Sequence, residues 1–227
     1  MCGAYGFSVK DAKEVYKRFD IANSLDDFTP RYNIRPGQMN PVITQNSKKY
    51  IERMFWGIIP FFTKDYSHKY KTMNARVETV MELPTYSKLF RKQRCLVPAT
   101  GFFEWDKTQK PSVPYYFYLK NDPIFAFAGL YDSWVDPKTN QEIHSYTIIT
   151  TKANQVVGKV HPRMPVILHR EDEKKWLSPT QIAQELLALL TPYPNDEMQE
   201  YMVDTAVNSP RNDNPEIIKP LDATALL

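Results

Sequence analysis

The chain has 227 residues, 42% of them hydrophobic and 24% charged, a globular composition that excludes a disordered chain. Its 29 Lys and Arg against 26 Asp and Glu leave a net charge of +3, too mild to mark a nucleic-acid binder by itself. A local basic patch can still bind what that sum hides.

Seven glycines against eighteen prolines, with 13% aromatics, disfavour a Gly-rich phosphate loop and suit strands broken by turns. No apolar run approaches the roughly 18 residues of a membrane span. The N-terminal stretch lacks the basic start and apolar core of a signal peptide. Cys2 and Cys95 give no disulfide framework, which points to a reducing cytoplasm. They and four scattered histidines have no metal-ligand spacing, so neither a metal nor a cofactor is expected.

In chain order, residues 10–19 place Ala12, Val15, Tyr16 and Phe19 at helical spacing and predict a short amphipathic helix. Short strands follow at 41–45, 50–56, 94–98, 101–105, 114–119, 124–131 and 143–151, rich in Tyr, Phe, Ile, Val and Thr. Lys107 to Pro111 reads as a hairpin loop. Helical patterns return at 171–177 and 180–190, the second with Ile182, Leu186, Leu187 and Leu190 on one face. Another strand is placed near 198–203. With no repeat or linker, the expectation is one α+β domain over residues 1–227, mostly antiparallel and barrel-like, with a few peripheral helices. A monomer is expected.

Cys2 is the most informative residue. Cysteine is small enough for methionine aminopeptidase to remove Met1, which would leave a terminal cysteine bearing an α-amine beside a thiol. Their ordinary pKa values, about 7.7–8.0 and 8.5, make both available as nucleophiles near neutral pH. Such an aminothiol captures an aldehyde twice, first as an imine and then by ring closure to a thiazolidine. The plainer reading is that Cys2 begins a buried strand.

Four further segments bear on this choice. In M-N-A-R-V-E-T, Asn74, Arg76 and Glu78 share one face if the segment is extended, a set suited to orienting a polar substrate. A solvated face with an Arg–Glu pair is the alternative. In G-F-F-E-W, Glu104 lies between aromatics on both strand faces, which favours a desolvated carboxyl over a solvent-facing one. In V-H-P-R-M-P, Pro162 keeps His161 out of a helix and presents its imidazole beside Arg163, although a lone histidine is usually structural. His68, His144 and His169 have no comparable company. In R-Y-N-I-R-P-G-Q, Pro36 and Gly37 form a turn that can bring backbone close to a ligand. The run Lys88, Arg91, Lys92 and Arg94 reads as a phosphate-facing patch or, more plainly, a solvated helix face.

Taken in order, M-C-G, R-Y-N-x-x-P-G, F-W-G-x-x-P, N-A-R-x-E-T, G-F-F-E-W and H-x-R-M-P-x-I-L resemble the SOS-response-associated peptidase (SRAP) family. The match extends to T-A-V-N-S-P-R-N-D at 205–213. The resemblance implies an abasic-site sensor that crosslinks itself to single-stranded DNA. It implies Cys2 as nucleophile, Asn74 as the residue orienting it, Glu104 as proton carrier and His161 as the group assisting sugar ring opening and reversal. It also implies Arg76 and Arg163 as phosphate contacts and Trp105 as a groove aromatic. Arg211 in the last motif, with Pro36 and Gly37, joins the implied DNA-binding set. Two departures stand out. Ala4 replaces an arginine common in the family. Phe61 and Phe62 replace tryptophans that wedge between bases, a role expected to pass to Phe62. A cysteine peptidase using Cys2 and His161, and a non-covalent single-stranded DNA binder, are the rival readings.

Overall fold

Aromatic and β-branched runs become strands here because two sheets sandwich them, so that Phe, Tyr and Ile side chains meet across the core instead of water. The structure, a computed structural model, describes residues 2–64 and 72–221; Met1 and His68 lie outside them. The elements are β1 (Tyr5–Phe7), α1 (Ala12–Phe19), β2 (Arg31–Ile34), β3 (Met39–Gln45), β4 (Lys49–Trp56), β5 (Asn74–Arg76) and α2 (Pro84–Lys92). There follow β6 (Arg94–Ala99), β7 (Gly101–Asp106), β8 (Val113–Leu119), β9 (Phe125–Val135), β10 (Glu142–Lys152) and α3 (Gln155–Gly158). The chain continues with β11 (Arg163–Pro165), β12 (Ile167–Leu168), α4 (Arg170–Leu177), α5 (Ala183–Ala188) and β13 (Met198–Met202).

Strands β10, β4, β3, β6 and β9 are neighbours in that order, and β9 pairs back to β10, closing a five-stranded barrel. Its pairings are antiparallel except β4 with β10, where Ser145 faces Phe55. β5 extends the same parallel edge, setting Ile148 opposite Asn74 and Thr150 opposite Arg76. A second, antiparallel sheet runs β13, β8, β7, β1, β2. This is the expected α+β fold with a barrel-like core.

The hairpin at 107–111 joins β7 to β8 as expected. Gly101 is required at the start of β7: a Cβ would fall 2.2 Å from the Tyr116 ring and 2.7 Å from the Phe117 carbonyl. β7 divides two packed regions. Phe102 belongs to the main core, whereas Phe103 joins Ala4, Tyr32, Tyr116, Val203, Val207 and Ile217 on the other face. The alternation that sends Phe102 inward also sends Glu104 inward.

Three expectations change. The first helix begins at Ala12 instead of residue 10 because Asp11 caps it, accepting from the Lys13 N–H at 2.9 Å. The helix expected at 180–190 shrinks to Ala183–Ala188. Leu186 and Leu190 are buried, but Ile182 precedes the helix in extended backbone and is 60% exposed. Arg94 faces no phosphate. It is buried and donates to the carbonyls of Phe90, Trp176 and Ser178 at 2.8, 2.7 and 2.6 Å, tying β6 to the ends of α2 and α4.

Candidate active site and nucleic-acid interface

Cys2 lies just ahead of β1 and is fully buried. Its thiol donates to the Ala4 carbonyl at 3.6 Å, and its own carbonyl accepts from Asn74 Nδ2 at 2.8 Å. The parallel pairing of β5 with β10 carries Asn74 to this point. Asn74 Oδ1 is buried and has no hydrogen-bond partner among the described residues. Such an unsatisfied acceptor costs about 1–3 kcal/mol, which a donor on a bound group would offset.

Glu104 enters from β7 with its side chain 4% exposed. Burial pushes its carboxyl up to about 7, far above the ordinary glutamate value. His161 follows the single turn of α3, its N–H donating to the Val157 carbonyl at 2.9 Å. Its Nδ1 lies 4.0 Å from Glu104 Oε1 and accepts from the Arg163 N–H at 3.1 Å. Burial lowers the imidazole's proton affinity, so it is neutral at pH 7. A carboxyl titrating near neutrality beside a neutral imidazole is a pair able to pass a proton either way. The Cys2 thiol is pushed well up, first by burial and then by the Glu104 charge. It rests as a thiol.

The structure therefore brings Cys2 to Asn74, and Glu104 to His161, in one buried region. It alters the arrangement around them. The strand carrying Asn74 ends at Arg76, and residues 77–80 turn away, so Asn74, Arg76 and Glu78 do not form one extended face. Asn74 is buried, while Arg76 is exposed. Glu78 pairs with Arg163 instead of Arg76, at 2.5 Å, and Arg163 Nη2 also donates to the Thr150 carbonyl at 2.7 Å. This contact holds the Glu78 carboxyl below its ordinary range.

Around this region, Trp105 donates from Nε1 to Asn208 Oδ1 at 2.7 Å. Pro36 and Gly37 form the expected turn. Gly37 sits at φ 89° and donates to the Trp56 carbonyl at 2.9 Å, a conformation that favours glycine. Phe61 and Phe62 are 69% and 53% exposed, with rings edge-on at 5.4 Å. Arg211 is exposed, and no hydrogen bond or ion pair ties it to the Cys2 region among the described residues. Its segment is nevertheless fixed: Asn33 Nδ2 is shared by the carbonyls of Val207, Ser209 and Asn212 at 2.9–3.1 Å, and Asp213 accepts from the Asn33 N–H at 3.0 Å and from Arg31. Ala4 is fully buried among apolar groups.

Sequence reasoning passed over Arg35, although it lies inside R-Y-N-I-R-P-G-Q. Its guanidinium stands over the Trp105 ring, 5.1 Å from the centroid. The signal was the motif itself, but the partner is 70 residues away in β7. Among the described residues no three His, Cys, Asp or Glu side chains gather as a metal site, and no helix is long and apolar enough to cross a membrane.

The family model for SOS response associated peptidase (SRAP) matches residues 1–210. Abasic site processing protein YoqW of Bacillus subtilis is 40% identical over 225 residues, covering 96% of this chain and 99% of that protein. Abasic site processing protein HMCES of Xenopus tropicalis is 31% identical, over 84% of this chain and 66% of that protein. A crystal structure of a Bacteroides thetaiotaomicron protein superposes with a TM-score of 0.87 at 31% identity, covering 97% of this chain and all of that one. With motifs, fold and near-complete coverage in agreement, the chain belongs to the SOS response associated peptidase (SRAP) family.

Proposed function

We propose that this protein processes abasic sites in single-stranded DNA by forming a covalent thiazolidine with them through Cys2. The relatives named abasic site processing proteins support the substrate. The observation that carries the chemistry is the placing of Cys2 against Asn74 in the region that holds the Glu104–His161 pair.

Removal of Met1 frees the Cys2 α-amine. The open-ring abasic sugar is an aldehyde. The amine adds to its carbonyl carbon, and the resulting carbinolamine loses water to give an imine. Glu104 takes the amine's proton and returns it to the departing hydroxyl, a task suited to a carboxyl titrating near 7. The thiol then adds across the C=N bond, its proton passing to the nitrogen, and the five-membered ring closes. His161, neutral at pH 7, assists opening of the sugar and the reverse reaction. Asn74 holds the Cys2 backbone so that amine and thiol meet the same carbon. Ring closure removes the imine that would otherwise promote β-elimination of the neighbouring phosphate, so the strand stays whole.

A resting thiol fits this order of events, because the amine attacks first. A cysteine peptidase needs a thiolate at the outset, and both burial and the Glu104 charge oppose one. The test is a heat-stable adduct with an abasic oligonucleotide, expected from the wild type and absent from Cys2→Ala. An equal adduct from Cys2→Ala overturns the proposal.

A further inference from the structure

Arg35 occupies the turn between β2 and β3, half-buried, with its guanidinium against the indole of Trp105. Nε donates to Asn33 Oδ1 at 2.7 Å, and Nη2 donates to the Val207 carbonyl. Those bonds and the aromatic face hold the group in one orientation, yet they use only two of its five N–H donors. Among the described residues, nothing accepts from Nη1, and no carboxylate lies within ion-pair distance of Arg35. Two other arginines of the expected DNA-facing motifs differ: Arg31 is paired with Asp213, and Arg163 with Glu78. Desolvation opposes the charge on Arg35, and the offsetting charge it would feel, a Cys2 thiolate, is not formed while Cys2 rests as a thiol. β2 pairs with β1 so that Ile34 faces Tyr5, which sets Arg35 at the end of the sheet where Cys2 leads into β1, so the free edge belongs to the same site.

A held guanidinium with an open edge, short of one anion, fits the planar bidentate geometry of a phosphate. We infer that Arg35 grips a backbone phosphate of single-stranded DNA beside the nucleotide presented to Cys2. The inference rests on the DNA reading above but not on the covalent step. Arg35 supplies a fixed contact in a chain whose net charge is only +3, so a few placed cations carry the electrostatic part of binding.

The test is fluorescence anisotropy with a single-stranded oligonucleotide carrying one tetrahydrofuran abasic analogue, which has no aldehyde and cannot crosslink. Binding is followed from 50 to 200 mM salt for wild type, Arg35→Gln, Arg35→Met and Arg35→Lys. One phosphate contact on a single strand contributes about 0.7 to the slope of log K against log salt. Arg35→Gln and Arg35→Met should each lose about that much slope, so the wild-type advantage shrinks about 2.6-fold across the range. Arg35→Lys keeps the charge and should keep the slope. The methionine preserves the aliphatic stem should the glutamine fail to fold. A residue that only packs against Trp105 would weaken binding equally at every salt. Unchanged slopes in both neutral variants, or no measurable binding by the wild type, overturn the inference. Failure of the covalent reading shows separately, as a missing adduct with the true aldehyde.

Discussion

Asn74 Nδ2 donates to the Cys2 carbonyl at 2.8 Å across 72 positions of sequence, and this bond fixes where the first residues of the chain lie. Replacing Asn74 with alanine leaves a buried carbonyl unpaired at the head of β1, a loss of about 1–3 kcal/mol. If that cost falls on the reactive geometry, adduct formation slows on the order of tenfold or more, since 1.4 kcal/mol is a factor of ten. Single-turnover rates with an abasic oligonucleotide check this. A rate equal to wild type would remove Asn74 from the site.

The raised pKa of Glu104 makes a signed prediction about stability. The folded protein holds the carboxyl proton up to about pH 7, whereas the unfolded chain releases it near its ordinary value of 4.5. The native state therefore loses stability as pH rises from 4.5 through 7, by an amount on the order of 3 kcal/mol at completion. Glu104→Gln removes this loss. It should melt higher than wild type at pH 8, match it near pH 4.5, and form adduct far more slowly. A variant destabilised at pH 8 would contradict the burial argument.

Phe61 and Phe62 present their rings to solvent, so the fold gains little from them. Phe62→Ala should leave the melting temperature nearly unchanged. It should weaken binding to a single-stranded oligonucleotide by roughly 1–3 kcal/mol, the worth of one base–aromatic stack. Equal affinities in a titration with the tetrahydrofuran oligonucleotide would deny Phe62 the wedge role.

The two hydrogens of Asn33 Nδ2 are shared among three carbonyls of the 207–212 segment. Asn33→Ala should cost about 2–4 kcal/mol by leaving buried polar groups unpaired. At about 2–4 °C per kcal/mol for a chain of this size, calorimetry should show a melting point lowered by roughly 5–15 °C. A change under about 2 °C would mean that the segment is held by other contacts.

The sequence was legible where one physical signal was strong and local. The strands at 114–119 and 143–151 appear within a residue or so of their expected ends because their β-branched and aromatic side chains have no helical face to offer. Glu104 was legible for the same reason: its strand has aromatics on both faces. What escaped is non-local. β1, β2 and β5 are three or four residues long and become strands through their partners. Arg94 resembled its basic neighbours until the carbonyls of three elements converged on it. Glu78 chose Arg163, 85 residues away, over Arg76 in its own motif. Arg35 gained meaning only when Trp105 was placed beneath it.

The central claim is that Cys2 captures an aldehyde with its amine and then its thiol. Intact-protein mass spectrometry, before and after incubation with a single-stranded oligonucleotide carrying one abasic site, tests it most directly. The account predicts a starting mass without Met1 and a heat-stable increase equal to the oligonucleotide less one water. Correctly processed protein that shows no increase, or Cys2→Ala that shows the same one, would contradict it.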